Sequence, residues 1–193
     1  MNVFKSVIVF IQSMLLKPLV LAYRSSPNRD VINEDLVRWC NELGVTPSHL
    51  ESSLVFLLRR YKSFRNLFYF RTHVSRLWKS IWREDEHLII TSYCTIEGGL
   101  YFWHPFSTII LAKHIGKNCT LRQLTTIGNL GPKHDVLCAP TIGDNVDIGA
   151  NVTVIGDIKI GNNVIIGAGA VIVKDVPDNC TVVGNPGRII HSN

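Results

Sequence analysis

Residues 141–172 read TIGDNVDIGANVTVIGDIKIGNNVIIGAGAVI, and in them Ile142, Ile148, Val154, Ile160, Ile166 and Ile172 recur every six residues without a break. Gly follows the aliphatic at 143, 149, 161 and 167, and a small or branched residue sits four places on at 146, 152, 158, 164 and 170. No α-helix has a period of six, and a simple strand alternates by two without fixed glycines. One inward aliphatic plus an adjacent glycine per hexad is the pattern of a β-solenoid, in which three hexads close one triangular coil. Coils then stack by backbone hydrogen bonds at about 4.8 Å. The same register extends back through Ile109, Ile115, Leu121 and Ile127, and an earlier piece, Ile90, Ile96 and Phe102, is offset by one. The register breaks between Ile127 and Ile142, which are 15 apart, so a loop over residues 129–140 is expected to leave the solenoid. Excursions from so regular a scaffold are commonly functional.

Upstream the period changes. Residues 1–86 read as an α-helical region of three to five helices, and residues 87–193 as the solenoid. Thr46-Pro47 predicts a helix start, Gly44 the end of the helix before it, in which Val37, Cys40 and Leu43 recur by threes, and Val74, Leu77, Trp78 and Ile81 one apolar helix face. Residues 6–16, SVIVFIQSMLL, form an apolar run that Lys17 and Pro18 end well short of the roughly 20 residues a span needs. It reads as a helix packed on the protein or lying in a membrane interface. No small-x-small site follows to suggest a cleaved signal.

The composition of the 193 residues narrows the class. A hydrophobic share of 46% with 18% charged residues excludes a disordered chain. Five cysteines without a CxxC pair argue against a disulfide framework or a zinc ribbon and fit a reducing compartment. The net charge of +5 lies entirely in residues 1–88, which hold 13 Lys/Arg against 8 Asp/Glu. Eight of those cations fall in residues 59–83, where no acid occurs and seven aromatics are interleaved. That stretch reads either as helices with solvated charges and packed aromatics or as a face for the anionic inner leaflet. No recognition module accompanies it, so nucleic acid is not an expected partner.

Two stretches carry a family resemblance: GGLYFWHPFSTIILAKHIGKNCTLRQLTTIGN (98–129) and PTIGDNVDIGANVTVIGDIKIGNNVIIGAGAVIVKDVPDNCTVVGNPGRII (140–190). They resemble the hexapeptide-repeat acyltransferases built on a left-handed parallel β-helix, and among them the serine acetyltransferase-like branch. FRNLFYFR (64–71) is similar to the helical preamble of acetyltransferases of capsule and exopolysaccharide pathways.

The resemblance implies an acetyl-CoA-dependent O-acetyltransferase, a homotrimer with its sites between neighbouring coils, and His104 as general base toward the acceptor hydroxyl. His134, in the loop, is the candidate second histidine. His114 reads as a surface turn residue. Gly149, Ala150, Gly167 and Ala168 are the expected edge for the pantetheine arm, with Lys174 and Arg188 as cations for the CoA phosphates. Trp103, Gln123 and Asn129 are expected near the acceptor and thioester.

The chain departs from the serine-specific pattern at three places. The aspartate before the histidine is Trp103, a second acidic position is Ile89, and Arg-His-Pro after the loop is Cys138-Ala139-Pro140. An aromatic beside the base suits a sugar face better than a zwitterion. The expected acceptor is therefore a saccharide hydroxyl of a bacterial capsule or exopolysaccharide pathway, with serine O-acetylation as the alternative. A non-catalytic scaffold is the rival from another class. No metal site is expected, because His104, His114 and His134 show no close pair. Transfer is expected to be direct, with a ping-pong route through Cys138 the lesser alternative. The expected location is cytoplasmic, with peripheral contact to the inner face of the membrane as the further expectation.

Overall fold

A computed structural model describes residues 3–46, 49–72, 74–129 and 138–192. The chain divides into two compact units, Met1–Asp85 and Glu86–Asn193.

Among its described residues the first unit holds five helices: α1 (Val3–Ser25), α2 (Arg29–Glu42), α3 (Leu50–Arg60), α4 (Lys62–Arg71) and α5 (Arg76–Ile81). Its core joins Leu16, Leu19 and Tyr23 of α1 to Ile32, Leu36 and Trp39 of α2, Leu54, Leu57 and Leu58 of α3, and Phe64, Leu67 and Phe68 of α4. Trp39 meets Phe64 edge to face at 5.2 Å, the arrangement that ring quadrupoles favour. At the end of α2, Gly44 donates to Asn41 and Val45 to Cys40, closing the helix with the paired bonds of a Schellman turn. Among the described residues, no helix is long and apolar enough to cross a membrane.

Four expectations for this unit change. The helix after Gly44 starts at Leu50, with His49 as its N-cap rather than Thr46; the first turn is closed by Ser53 N–H on the His49 carbonyl. In α2, Val37 faces out while Ile32, Leu36, Trp39 and Cys40 are buried. In α5, Leu77 and Ile81 are exposed. The charges of residues 59–83 do not all face water, because Arg65 and Arg71 are buried. Arg71 Nε lies 3.1 Å from Asp35 Oδ2, and Arg65 donates to the carbonyls of Leu58 and Arg83.

The second unit is a parallel β-solenoid of three faces. The first face stacks β1 (Leu88–Ile90), β4 (Thr108–Ile110), β7 (Thr126–Gly128), β10 (Thr153–Ile155) and β13 (Val171–Ile172). The second stacks β2 (Thr95–Ile96), β5 (His114–Ile115), β8 (Thr141–Ile142) and β11 (Lys159–Ile160), and Val176 bridges to Ile160 in the last coil. The third stacks β3 (Tyr101–Trp103), β6 (Thr120–Arg122), β9 (Asp147–Ile148), β12 (Ile165–Ile166) and β14 (Cys180–Val183), and β15 (Arg188–Ser192) closes it antiparallel to β14.

The inward column of the first face is Ile90, Ile110, Ile127, Val154 and Ile172. The inward residue of the second coil is thus Ile110; Ile109 points outward and is exposed. Ile90, Ile96 and Phe102 form the first coil, in full register with those above. The apparent offset arises at the His104–Ser107 corner, where both end residues adopt positive φ (51° and 49°) and the turn takes up extra chain. His114 is a half-buried strand residue in β5 rather than a turn residue.

Coil spacing, more than turn conformation, explains the repeated glycines. A Cβ on Gly143 would lie 2.8 Å from the Gly161 carbonyl carbon of the next coil and 2.6 Å from Asn162 Oδ1. The left-handed turn positions between the second and third faces belong instead to Asn118, Asn145, Asn163 and Asn179. Asparagine tolerates that conformation, and here the side chains also link coils: Asn145 donates to Asn163 and Asn163 to Asn179.

Candidate active site

Strand register assembles one corner of the solenoid, between the third and first faces, from residues far apart in sequence. Trp103 of β3 pairs with Arg122 of β6. Leu121 pairs with Ile148 and Ile148 with Ile166, which sets Gly149 and Gly167 in the same outward column. Since strand residues alternate faces, Trp103, Arg122, Gly149 and Gly167 line one external strip. The residues that follow them, His104, Gln123, Ala150 and Ala168, turn the corner together. Backbone bonds knit it: Asn151 N–H donates to Gln123 O and Gly169 N–H to Ala150 O, both at 2.9 Å. Seven of the residues singled out in the sequence therefore meet on one edge.

His104 sits at the bottom of that edge, exposed, directly after β3. Its φ of 51° is uncommon for a residue with a Cβ. Phe106 N–H closes the tight turn on the His104 carbonyl at 2.6 Å, and Pro105 is buried beneath it. This turn carries the imidazole out of the strand plane while its backbone stays fixed. The Trp103 indole, half exposed, lies edge-on to the His104 ring at 6.4 Å and to Tyr101 at 6.1 Å. An exposed imidazole can take a proton from a bound hydroxyl, and the indole beside it offers an apolar plane.

Above Trp103, the Arg122 guanidinium is bonded to both carboxylate oxygens of Asp147. Neither residue is among the sequence candidates. The signal that finds them is the stacking register: once Leu121 is placed under Ile148, Arg122 falls between Trp103 and Gly149. Gly149 itself is required by coil spacing, since a Cβ there would sit 2.6 Å from the Ala168 amide nitrogen.

The remaining candidates fall elsewhere. Lys174 and Arg188 come together as exposed cations lining a cavity of about 470 Å³ at the last coil, with Val173, Pro186 and Gly187. Asn129 follows β7 at the corner between the first and second faces, aligned through the register with Lys174 rather than with His104. His134 lies outside the described residues. Ala139 is fully buried, and the Pro140 carbonyl accepts the Lys113 N–H at 2.8 Å. Ala139 and Pro140, which stand where the serine-specific pattern has His-Pro, thus serve coil packing.

Residues 139–174 match the family model described as bacterial transferase hexapeptide (six repeats). Those residues hold β8 to β13 of the solenoid. Over 88 residues the chain is 43% identical to an Escherichia coli K12 protein, WcaB, whose name is that of a colanic acid biosynthesis acetyltransferase; the match covers 45% of this chain and 53% of that one. Over 94 residues it is 44% identical to a serine acetyltransferase of Synechococcus elongatus, covering 48% and 38%. The chain spans about half the length, or less, of these relatives. Among solved structures, soybean serine acetyltransferase complexed with serine superposes with a TM-score of 0.70 at 28% identity, over 92% of this chain and 76% of that one. The Neisseria gonorrhoeae enzyme gives 0.66 at 26%, over 85% and 65%. The hexapeptide coils share the left-handed parallel β-helix of these neighbours.

Proposed function

We propose that this chain transfers an acetyl group from acetyl-CoA to a hydroxyl of a saccharide in a bacterial capsule or exopolysaccharide pathway. The observation that carries the reading is the adjacent pair at the corner: an exposed imidazole on a fixed turn with an indole, not a carboxylate, beside it. The named role of the Escherichia coli relative supports it.

In this mechanism neutral His104 takes the proton of the acceptor hydroxyl as its oxygen attacks the thioester carbonyl. The tetrahedral oxyanion then collapses, the C–S bond breaks, and the imidazolium returns its proton to the departing thiolate. Trp103 holds the sugar face and Gln123 donates toward the thioester. The corner of Gly149, Ala150, Gly167 and Ala168 borders the pantetheine arm, and Lys174 and Arg188 take the CoA phosphates. His104 and Lys174 occupy different corners of one chain. In a homotrimer of solenoids, one protomer supplies the base and its neighbour the phosphate contacts.

Exposed Arg59, Arg60 and Lys62, with Lys79 and the apolar Leu77 and Ile81, support peripheral contact with an anionic inner leaflet. Sedimentation with anionic and neutral vesicles tests that contact, and equal binding to both overturns it.

Serine O-acetylation is the second reading, favoured by the solved neighbours named serine acetyltransferases. Thiol release from acetyl-CoA, with acetylated product identified by mass, decides between them. Faster turnover with a pyranoside than with serine supports the saccharide reading. Faster turnover with serine than with every sugar overturns it.

A further inference from the structure

The geometry points to Arg122 and Asp147 as the specificity-determining pair of the acceptor site, set to bridge neighbouring hydroxyls of a neutral pyranose lying on Trp103. This rests on the saccharide reading above and narrows it.

Three observations carry the inference. First, the Trp103↔Arg122 pairing puts Arg122 one strand spacing from Trp103, on the same external strip. Second, Arg122 is not free to wander. Its two terminal nitrogens each bond one oxygen of Asp147, reached diagonally past Gly149, which has no side chain to fill the space. Third, the pair stays accessible, with side-chain exposures of 34% and 43%. Exposed ion pairs add little to stability, so packing alone does not account for it.

The chemistry that fits such a pair is specific. The guanidinium has five N–H donors, and two of them suffice for Asp147, leaving others for a ligand oxygen. The carboxylate has lone pairs left to accept a hydroxyl. A donor and an acceptor held side by side match two adjacent sugar hydroxyls, and the indole plane covers the ring C–H face. Because Asp147 cancels the charge of Arg122, the strip favours a neutral sugar over a uronate or an amino-acid carboxylate.

The test uses the 193-residue chain, acetyl-CoA, a set of neutral methyl pyranosides (gluco, galacto and fuco) and methyl glucuronide. Arg122→Gln is expected to raise KM for the best neutral pyranoside by about tenfold or more, the scale of a lost charged hydrogen bond. Its kcat and its KM for acetyl-CoA are expected to move less than about threefold, with Arg122→Lys intermediate. Asp147→Asn uncovers the guanidinium and is expected to shift kcat/KM toward the glucuronide relative to the neutral sugar; it also carries the test if Arg122→Gln melts early. Unchanged acceptor KM, or acetyl-CoA KM rising in parallel, overturns the pair's role and leaves the saccharide reading intact. A wild-type protein that acetylates no pyranoside removes the saccharide reading and this inference with it.

Discussion

The two units use an Arg–Asp pair in opposite ways. In the helical unit, Arg71 and Asp35 are almost wholly buried, with side-chain exposures of 5% and 2%. In the solenoid, Arg122 and Asp147 stand outside the coils with roughly a third or more of each side chain in water. The difference follows from geometry. Helices packed on several neighbours can enclose a side chain that looks solvent-facing in sequence, whereas a thin prism of short strands has an interior filled by the aliphatic of each hexad and the small or branched residues between them. Among the described residues, the charged side chains of the coils therefore stay outside, in water or against one another and the turn amides. Charge in the first unit must be judged by its hidden partners, and charge in the second by what it leaves open.

The largest expected effect breaks the buried pair. Arg71→Met takes the guanidinium from the buried Asp35 carboxylate and is expected to cost about 3–5 kcal/mol, while adding Asp35→Leu recovers much of that loss. Urea unfolding followed by the helical circular dichroism signal measures both. A single variant losing less than about 1 kcal/mol would mean that the pair is hydrated and the contrast between the units false.

The next effect concerns coil spacing. Gly143→Ala forces a Cβ within 2.8 Å of the neighbouring coil's backbone and is expected to cost about 1–3 kcal/mol, as other overpacked sites do. Gly169, at φ +73° with nothing within 4 Å of a built Cβ, should lose only about 1 kcal/mol on change to Ala, the cost of left-handed backbone. Thermal unfolding of the two variants ranks them, and the reverse order would remove the spacing argument.

These two cases also mark what could be read from the sequence. The hexad period exposes the solenoid because each coil repeats one instruction, whereas His104, Gln123, Gly149 and Gly167 are singled out by the family resemblance and share one edge only through the strand register. The period failed at Ile109-Ile110, where two adjacent isoleucines give it no means to choose and the His104–Ser107 turn absorbs extra chain. It missed Arg122–Asp147, 25 residues apart, because the 15-residue step from Ile127 to Ile142 separates them in sequence while register brings them together. In the helical unit, nothing in the acid-free run 59–83 reveals that Asp35 and the carbonyls of Leu58 and Arg83 receive two of its cations.

The smallest effect is a pH dependence confined to the helical unit. Burial pushes the Tyr69 phenol from about 10 up to about 12, and its hydroxyl donates to the Trp82 carbonyl at 2.7 Å. The folded state then keeps a proton that the unfolded chain releases, so this contribution is intact below pH 10 and falls as pH rises toward 12. Tyr69→Phe should flatten that fall in the melting temperature. An unchanged slope would assign the alkaline loss to other groups.

Turnover of the His104→Ala variant with acetyl-CoA and the best pyranoside tests most directly whether the corner bearing His104 performs acetyl transfer. The expected result is a loss of about 10²- to 10⁴-fold in kcat with acetyl-CoA affinity and melting temperature unchanged, the range for removal of a general base. A folded variant that kept more than about a tenth of wild-type turnover, outside that range, would contradict the account and move the chemistry to another part of the coils.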